Sequence, residues 1–289
     1  MAFQNFIPQI WSAAINRELE KECVFLEDCN RQYEGEVKKQ GDTVRILGVG
    51  KPTIKHISRG EASNDIDGPE EIEDTSVVMQ INQIAYFNYM VGDIDKAQAV
   101  GGIMDALSAE TTEGIADDID QYIADLSKDK QAVNVYSAPL KVVAGTAGEG
   151  EINVLDALDY VVQRLYENNV RKSTKIVATV SPRFLTIFNK EYRNTDTNNS
   201  KLMKNGFVTM YNNITIKMSN NVTRKTTTTA NDTDLIQVKT QRAIAFANPL
   251  THTEAYRPEK KFADAVKGYS LYDAKIVRPK EMFILNLKY

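Results

Sequence analysis

The chain has 289 residues, 42% of them apolar and 26% charged, enough for one large or two modest domains with buried cores and too apolar for wholesale disorder. A net charge of −4 excludes a strongly basic protein with global affinity for nucleic acid or anionic membranes. No stretch approaches the roughly 20 apolar residues of a membrane helix, and Asn5, Pro8 and Gln9 interrupt any apolar core of a signal peptide.

The charge is unevenly spread. Residues 201–289 carry 15 Lys and Arg against 7 Asp and Glu, leaving 20 against 32 for residues 1–200, an asymmetry able to steer head-to-tail packing of copies. Cys23 and Cys29 sit six apart in a helical pattern and fit neither a zinc spacing nor a disulfide framework, so a reduced cytosol is the default compartment.

Residues 7–29 read as an amphipathic helix. Trp11, Ala14, Ile15, Leu19, Cys23 and Leu26 recur every three or four positions, with Pro8 in the first turn. The helix either packs on its own domain or docks on a neighbour, and the aromatic leader with Phe3 and Phe6 favours a docking arm.

Residues 41–91 read as one long β-hairpin. Gly41 and Asp42 turn into an alternating strand, and Val77, Met79, Ile81, Ala85, Phe87, Tyr89 and Val91 share one face at period two. As a single strand, 76–91 is roughly 50 Å long. Between the arms, residues 59–75 hold Glu61, Asp65, Asp67, Glu70, Glu71, Glu73 and Asp74 with Gly60, Gly68 and Pro69, the composition of a solvated tip. Such a hairpin, reaching away from any globular body, needs a surface to lie on. A neighbouring copy supplies one; the alternative is a hairpin folded back on its own domain.

A helix start at residues 93–96 leads into a long helix to about Leu126, with a bend expected near Gly101 or Gly114. Asp117, Asp118, Asp120 and Asp125 read as its solvated face, since no calcium-loop pattern accompanies them. Residues 128–150 are a polar linker whose glycines lack the Lys-Ser/Thr of a phosphate loop. A helix over 151–165 ends at Asn168 and Asn169, a buried strand spans 175–180, and Ser181-Pro182 caps a further helix through Phe184 and Phe188. Loops at 194–200 and 224–234 alternate with strands at 214–218 and 235–247. Strands at 252–256, 270–277 and 282–287 close the chain, giving an α+β protein.

Catalytic chemistry finds little support. His56 and His252 lack partner motifs, and Ser181 lies at a strand-to-helix turn without Gly-x-Ser-x-Gly. A soluble hydrolase using Ser181, Asp156 and His252 is the remote alternative. No cofactor or metal site is expected. Basic residues are scattered, leaving only non-specific contact with DNA.

The order of elements resembles the major capsid proteins of tailed bacteriophages, the Hong Kong 97-like fold. The likeness rests on the 6–26 segment, on Lys39-Gln40-Gly41-Asp42-Thr43-Val44-Arg45-Ile46 leading into the hairpin, on the 86–95 stretch with its long helix, and on the closing 257–279 stretch with Arg257-Pro258, Gly268-Tyr269 and Arg278-Pro279. It implies a non-enzymatic shell protein with an N-terminal arm (1–35), an extended loop (36–93), a peripheral domain (94–147 and 251–289) built on a spine helix, and an axial domain (148–250). It implies pentamers and hexamers of copies around phage double-stranded DNA in a virion assembled in the bacterial cytoplasm, with no membrane. A separate scaffolding protein and a portal are expected, with room for a decoration protein. Phe6, Trp11, Ile15, Leu19, Lys51, Ile54, Ile57, Arg59, Glu70, Glu71, Arg257 and Arg278 are the expected inter-subunit contacts. An encapsulin-type nanocompartment shares the same fold and is the nearest rival.

Overall fold

A computed structural model describes residues 24–33, 43–49, 74–92, 103–136, 138–194, 210–225 and 232–289, together with 53, 54 and 68. Residues 7–23 of the expected 7–29 helix, the helix start at 93–96 and the expected loop at 194–200, apart from Asn194, which ends a helix, lie outside these. Three sheets organise the described residues. The first is a hairpin of β1 (Thr43–Val49) and β2 (Asp74–Gln80). The second is three-stranded, with β13 (Ala263–Ile276) between β12 (Ile244–Tyr256) and β3 (Gln83–Gly92), all antiparallel.

The third sheet has nine strands, and its centre is β11 (Thr233–Thr240), antiparallel both to β14 (Met282–Lys288) and to β7 (Ile176–Val180). All eight residues of β11 are buried, as a strand covered on both faces must be. Beyond β14 lie β4 (Val133–Asn134), β5 (Leu140–Val143) and β6 (Glu151–Asn153), in parallel pairings. Beyond β7 lie β9 (Ile214–Met218) and β8 (Met210–Tyr211), and β10 (Arg224–Lys225) pairs with β11.

Helix α1 (Ile103–Asp125), followed by a 3-10 turn, runs unbroken through Gly114, so the expected bend there is absent. Helix α2 (Val154–Glu167) buries Ala157, Leu158, Val161, Val162 and Leu165. Asn153 caps it by accepting from Leu155 N at 2.8 Å, and Asn169 turns the chain out at φ 63°. Helix α3 (Pro182–Asn194) starts as expected on Ser181, whose Oγ accepts from Phe184 N at 3.4 Å. The Ser181 Oγ also lies 3.0 Å from the Tyr289 hydroxyl.

Four readings need correcting. The 76–91 run is two strands in two sheets, because β2 pairs with β1 while β3 pairs with β13; the change of partner falls at Ile81 and Asn82. Period two survives the break, with Met79, Ile81 and Val91 buried and Tyr86 exposed, so alternation alone does not reveal it. The 235–247 run likewise divides, since β11 and β12 enter different sheets across a turn at 241–243. The 128–150 linker contains β4 and β5, whose side chains alternate too briefly to register as strands. Residues 24–29, placed at the end of the first helix, form a turn and a 3-10 helix over Leu26–Asp28.

Candidate functional site

Among the described residues no buried catalytic constellation emerges, and the features that stand out are the hairpin root, the 24–33 segment, the aspartates of α1 and the edge of β3. Ile46, Met79 and Ile81 pack with Ala245, Ala247 and Leu271 in a small cluster apart from the main core. Lys275 Nζ donates to the Val78 carbonyl at 2.8 Å. The hairpin root therefore lies on the chain's own β12 and β13, correcting the expectation that the whole hairpin stands clear of the body. The register ends at Val49 opposite Asp74, and the acidic stretch 61–73 comes after this pair, outside the described residues except at Gly68.

The segment 24–33 is stitched into the core. Phe25 and Leu26 are buried, and the Phe25 N–H donates to Asp120 Oδ1 at 2.9 Å. Asp28, 3% exposed, faces Lys217 at 2.7 Å and Lys175 at 3.6 Å, while Glu27 takes a second bond from Lys217 at 2.8 Å. Burial pulls the Lys217 ammonium down, yet the bonds to Asp28 and Glu27 leave it raised above 10.5. Asn30 N and O bond the backbone of Ile244 and Phe246, which fastens the segment to β12.

The aspartates of α1 are not simply a solvated face. Asp120 is 4% exposed and accepts from Phe25 N, Ser219 Oγ at 3.3 Å and Asn221 Nδ2 at 3.2 Å. Burial raises its carboxyl above 3.8, with those three donors opposing. Asp118 accepts from the Tyr272 hydroxyl at 2.6 Å, and Asp273 of β13 accepts from the Tyr122 hydroxyl of α1 at 2.8 Å. Helix and strand thus each give one tyrosine and one aspartate, and the two rings meet edge to face.

Open surface remains along β3. Among the described strands it pairs with β13 alone, and its outward residues Ile84, Tyr86 and Met90 are 44%, 81% and 50% exposed. An unpaired edge beside exposed apolar side chains is a ready contact surface. Phe262, at 90% exposed, stands just before β13. A separate polar cleft of about 800 Å³ is lined by Arg31, Arg242, Arg278, Gln32, Tyr33 and Cys29, among others.

No protein-family model and no curated protein matches this sequence. Solved structures do. One from Mycobacterium phage Che8 is 24% identical, with a TM-score of 0.70 over 91% of this chain and 90% of that one. The capsid of cyanophage P-SCSP1u is 14% identical, with a TM-score of 0.69 over 92% of this chain and 88% of that one. A virus-like particle from Pyrococcus furiosus is 11% identical, with a TM-score of 0.54 over 97% of this chain and 99% of that one. The chain has the Hong Kong 97-like capsid fold.

Within this capsid fold the expected contact residues fall into two groups. Phe6, Trp11, Ile15, Leu19, Lys51, Ile57, Arg59, Glu70 and Glu71 lie outside the described residues. Ile54 is 80% exposed. Arg257 pairs with Asp264 at 3.4 Å at the β12–β13 end, and Arg278 pairs with Glu281 at 3.0 Å on the cleft wall. Sequence reading missed Tyr86, Met90 and Phe262. For Tyr86 and Met90 the signal was present, because β3 carries large apolar residues on both faces, one more face than a single core needs. His252 lies on β12 beside Tyr269, Ser181 caps α3 and Asp156 opens α2. No hydrogen bond links any two of the three, so the hydrolase alternative has no constellation here. No described helix is long and apolar enough to cross a membrane.

Proposed function

We propose that this chain is the major capsid protein of a tailed bacteriophage, self-assembling into the icosahedral head shell around double-stranded DNA. The observation that carries this reading is a capsid fold spanning about nine-tenths of the chain, combined with a β3 edge that no other described strand pairs and an exposed apolar face beside it. A structural rather than catalytic role goes with it, as does a place in the virion capsid after assembly in the host cytoplasm. Residues 1–35 serve as the arm, 36–93 as the extended loop, 94–147 with 251–289 as the peripheral domain and 148–250 as the axial domain. In this division β14 of the 251–289 segment pairs with β11 of the 148–250 segment in the nine-stranded sheet. The named arm, hairpin and arginine residues meet neighbouring copies in pentamers and hexamers. A scaffolding protein, a portal and a decoration protein are the further partners, and packaged DNA is met without sequence preference.

Coverage of the Pyrococcus furiosus virus-like particle at 97% and 99% favours, as a second reading, a nanocompartment shell. Negative-stain electron microscopy of the purified chain, with and without a candidate scaffold, tests both. Shells that vary in size or need scaffold are expected for a phage head. Small uniform spheres filled with a cargo enzyme point to the nanocompartment, and a compact monomer at high concentration overturns both.

A further inference from the structure

Lys239 lies at the heart of β11 and is fully buried, and no carboxylate of the described residues forms an ion pair with it. Its Nζ points instead at the Cys29 sulfur, 3.3 Å away, with the Phe25 ring centroid at 6.0 Å. A buried cation without an anion is costly, and here the Cys29 sulfur, with the face of the Phe25 ring, is what the lysine meets. Cys29 is 2% exposed, and its thiol donates to the Phe25 carbonyl at 3.1 Å. Burial raises the thiol and the neighbouring ammonium opposes that rise. Cys29 also lines the polar cleft, which gives a small oxidant a way in.

We propose that Cys29 and Lys239 form a modification site, in which dioxygen joins Sγ to Nζ through a bridging oxygen. One dioxygen is consumed per link. The S–H bond and two N–H bonds of the ammonium break, and S–O and O–N bonds form. Of the three hydrogens released, two leave with the second oxygen as water and one leaves as a proton. Sulfur and nitrogen give up two electrons each, and these four reduce the dioxygen. A bridging atom suits a 3.3 Å gap better than the direct S–N bond that a sulfenic acid and an amine form. The link closes a loop across 210 residues and ties the 24–33 segment to the central strand, so it raises thermal stability by restricting the unfolded chain.

The timing rests on the shell reading: reduced while the subunit is in the cytosol, oxidised once the particle meets air. The test uses the purified full chain, prepared with reductant under nitrogen and then exposed to air. The expected result is a gain of about 14 Da, one oxygen less two hydrogens, that dithiothreitol reverses. Digestion is expected to release a peptide pair joined at Cys29 and Lys239. Cys23→Ser keeps the gain, whereas Cys29→Ser and Lys239→Met lose it; should Lys239→Met not fold, the wild-type peptide map still decides. An unchanged mass overturns the proposal. So does a loss of about 2 Da (a Cys23–Cys29 disulfide or a direct S–N bond), oxidised Cys29 beside free Lys239, or a gain that resists reductant. Micrographs of the same sample separate the two ideas: shells without the link sink only this inference, and a link without shells sinks only the capsid reading.

Discussion

Gly268 stands in the middle strand of the three-stranded sheet, where a Cβ would sit 2.5 Å from Phe87 Cζ and 2.7 Å from the His252 carbonyl oxygen. The Phe87 ring lies over the space a side chain would take, the arrangement by which an aromatic neighbour shields a strand glycine. Gly268→Ala is expected to destabilise the subunit by about 1–3 kcal/mol, read from urea unfolding; an unchanged midpoint would show that Phe87 moves freely. Asp120 makes the second prediction. Asp120→Ala strands the Phe25 N–H and the Ser219 hydroxyl, while Asn221 keeps its 2.6 Å bond to Asp117, and is expected to cost about 2–3 kcal/mol. Burial raises the folded-state carboxyl, so its contribution is complete below pH 3.8 and is lost as pH rises through the raised value. Asp120→Asn keeps an acceptor without the charge, so it should cost less than the alanine and flatten that fall in a pH series of unfolding midpoints. Sequence gave no warning of Asp120, whose neighbours Asp117 and Asp118 look identical along the chain. The docking of residues 24–33, with Ser219 and Asn221, singles it out.

Helix α1 is held to β13 by the reciprocal tyrosine–aspartate pairs. Burial, then the bond to the facing carboxylate, raises Tyr122 and Tyr272 far above 10. Burial likewise raises Tyr289, and raises Tyr136 to about 12. Raised groups stabilise fully below their ordinary value and lose that contribution as pH climbs through the folded one. These four tyrosines, out of 13, should therefore ionise late and together with unfolding in an absorbance titration above pH 10; ionisation of all 13 near pH 10 would refute the pairing. The clamp on residues 24–33 behaves similarly. Lys217→Met removes the lysine that bonds Glu27 and the nearer of the two that face Asp28, and should lower hydrogen-exchange protection of residues 25–30 at least tenfold while sparing β11. Elements with their own punctuation were legible in advance: the stop of α2 at Asn168 and Asn169, α3 on Ser181-Pro182, and β7 as a short buried strand; the start of α2 was not, because residues 151–153 of the expected helix form β6. The run over 76–91 was misread because a strand that changes partner can keep its inward parity, and parity is all that the pattern records.

For the whole molecule, the hairpin root needs no neighbour, since Met79 and Ile81 already rest on β12 and β13. On the capsid reading, the sequence between Val49 and Asp74 is the part expected to meet a neighbouring copy. Replacing residues 51–72 with a short Gly-Ser turn should therefore leave a folded subunit with near-wild-type circular dichroism and abolish shells in electron micrographs. Shells that persist would place the lattice contacts elsewhere. Tyr86→Arg with Met90→Glu should also block or enlarge the particles while leaving the monomer's unfolding midpoint within about 0.5 kcal/mol, because exposed positions contribute little to folding.

Composition, the two clean amphipathic helices, the apolar closing strands and the acidic stretch between two β arms were fixed by the chain alone, because burial on one face writes a period into the sequence. Which strands share a sheet, where a long run changes partner, which aspartate of four is buried, and that Lys239 meets Cys29 were settled only in three dimensions. Those outcomes depend on residues tens to hundreds of positions apart, and a local period carries no information about a distant partner.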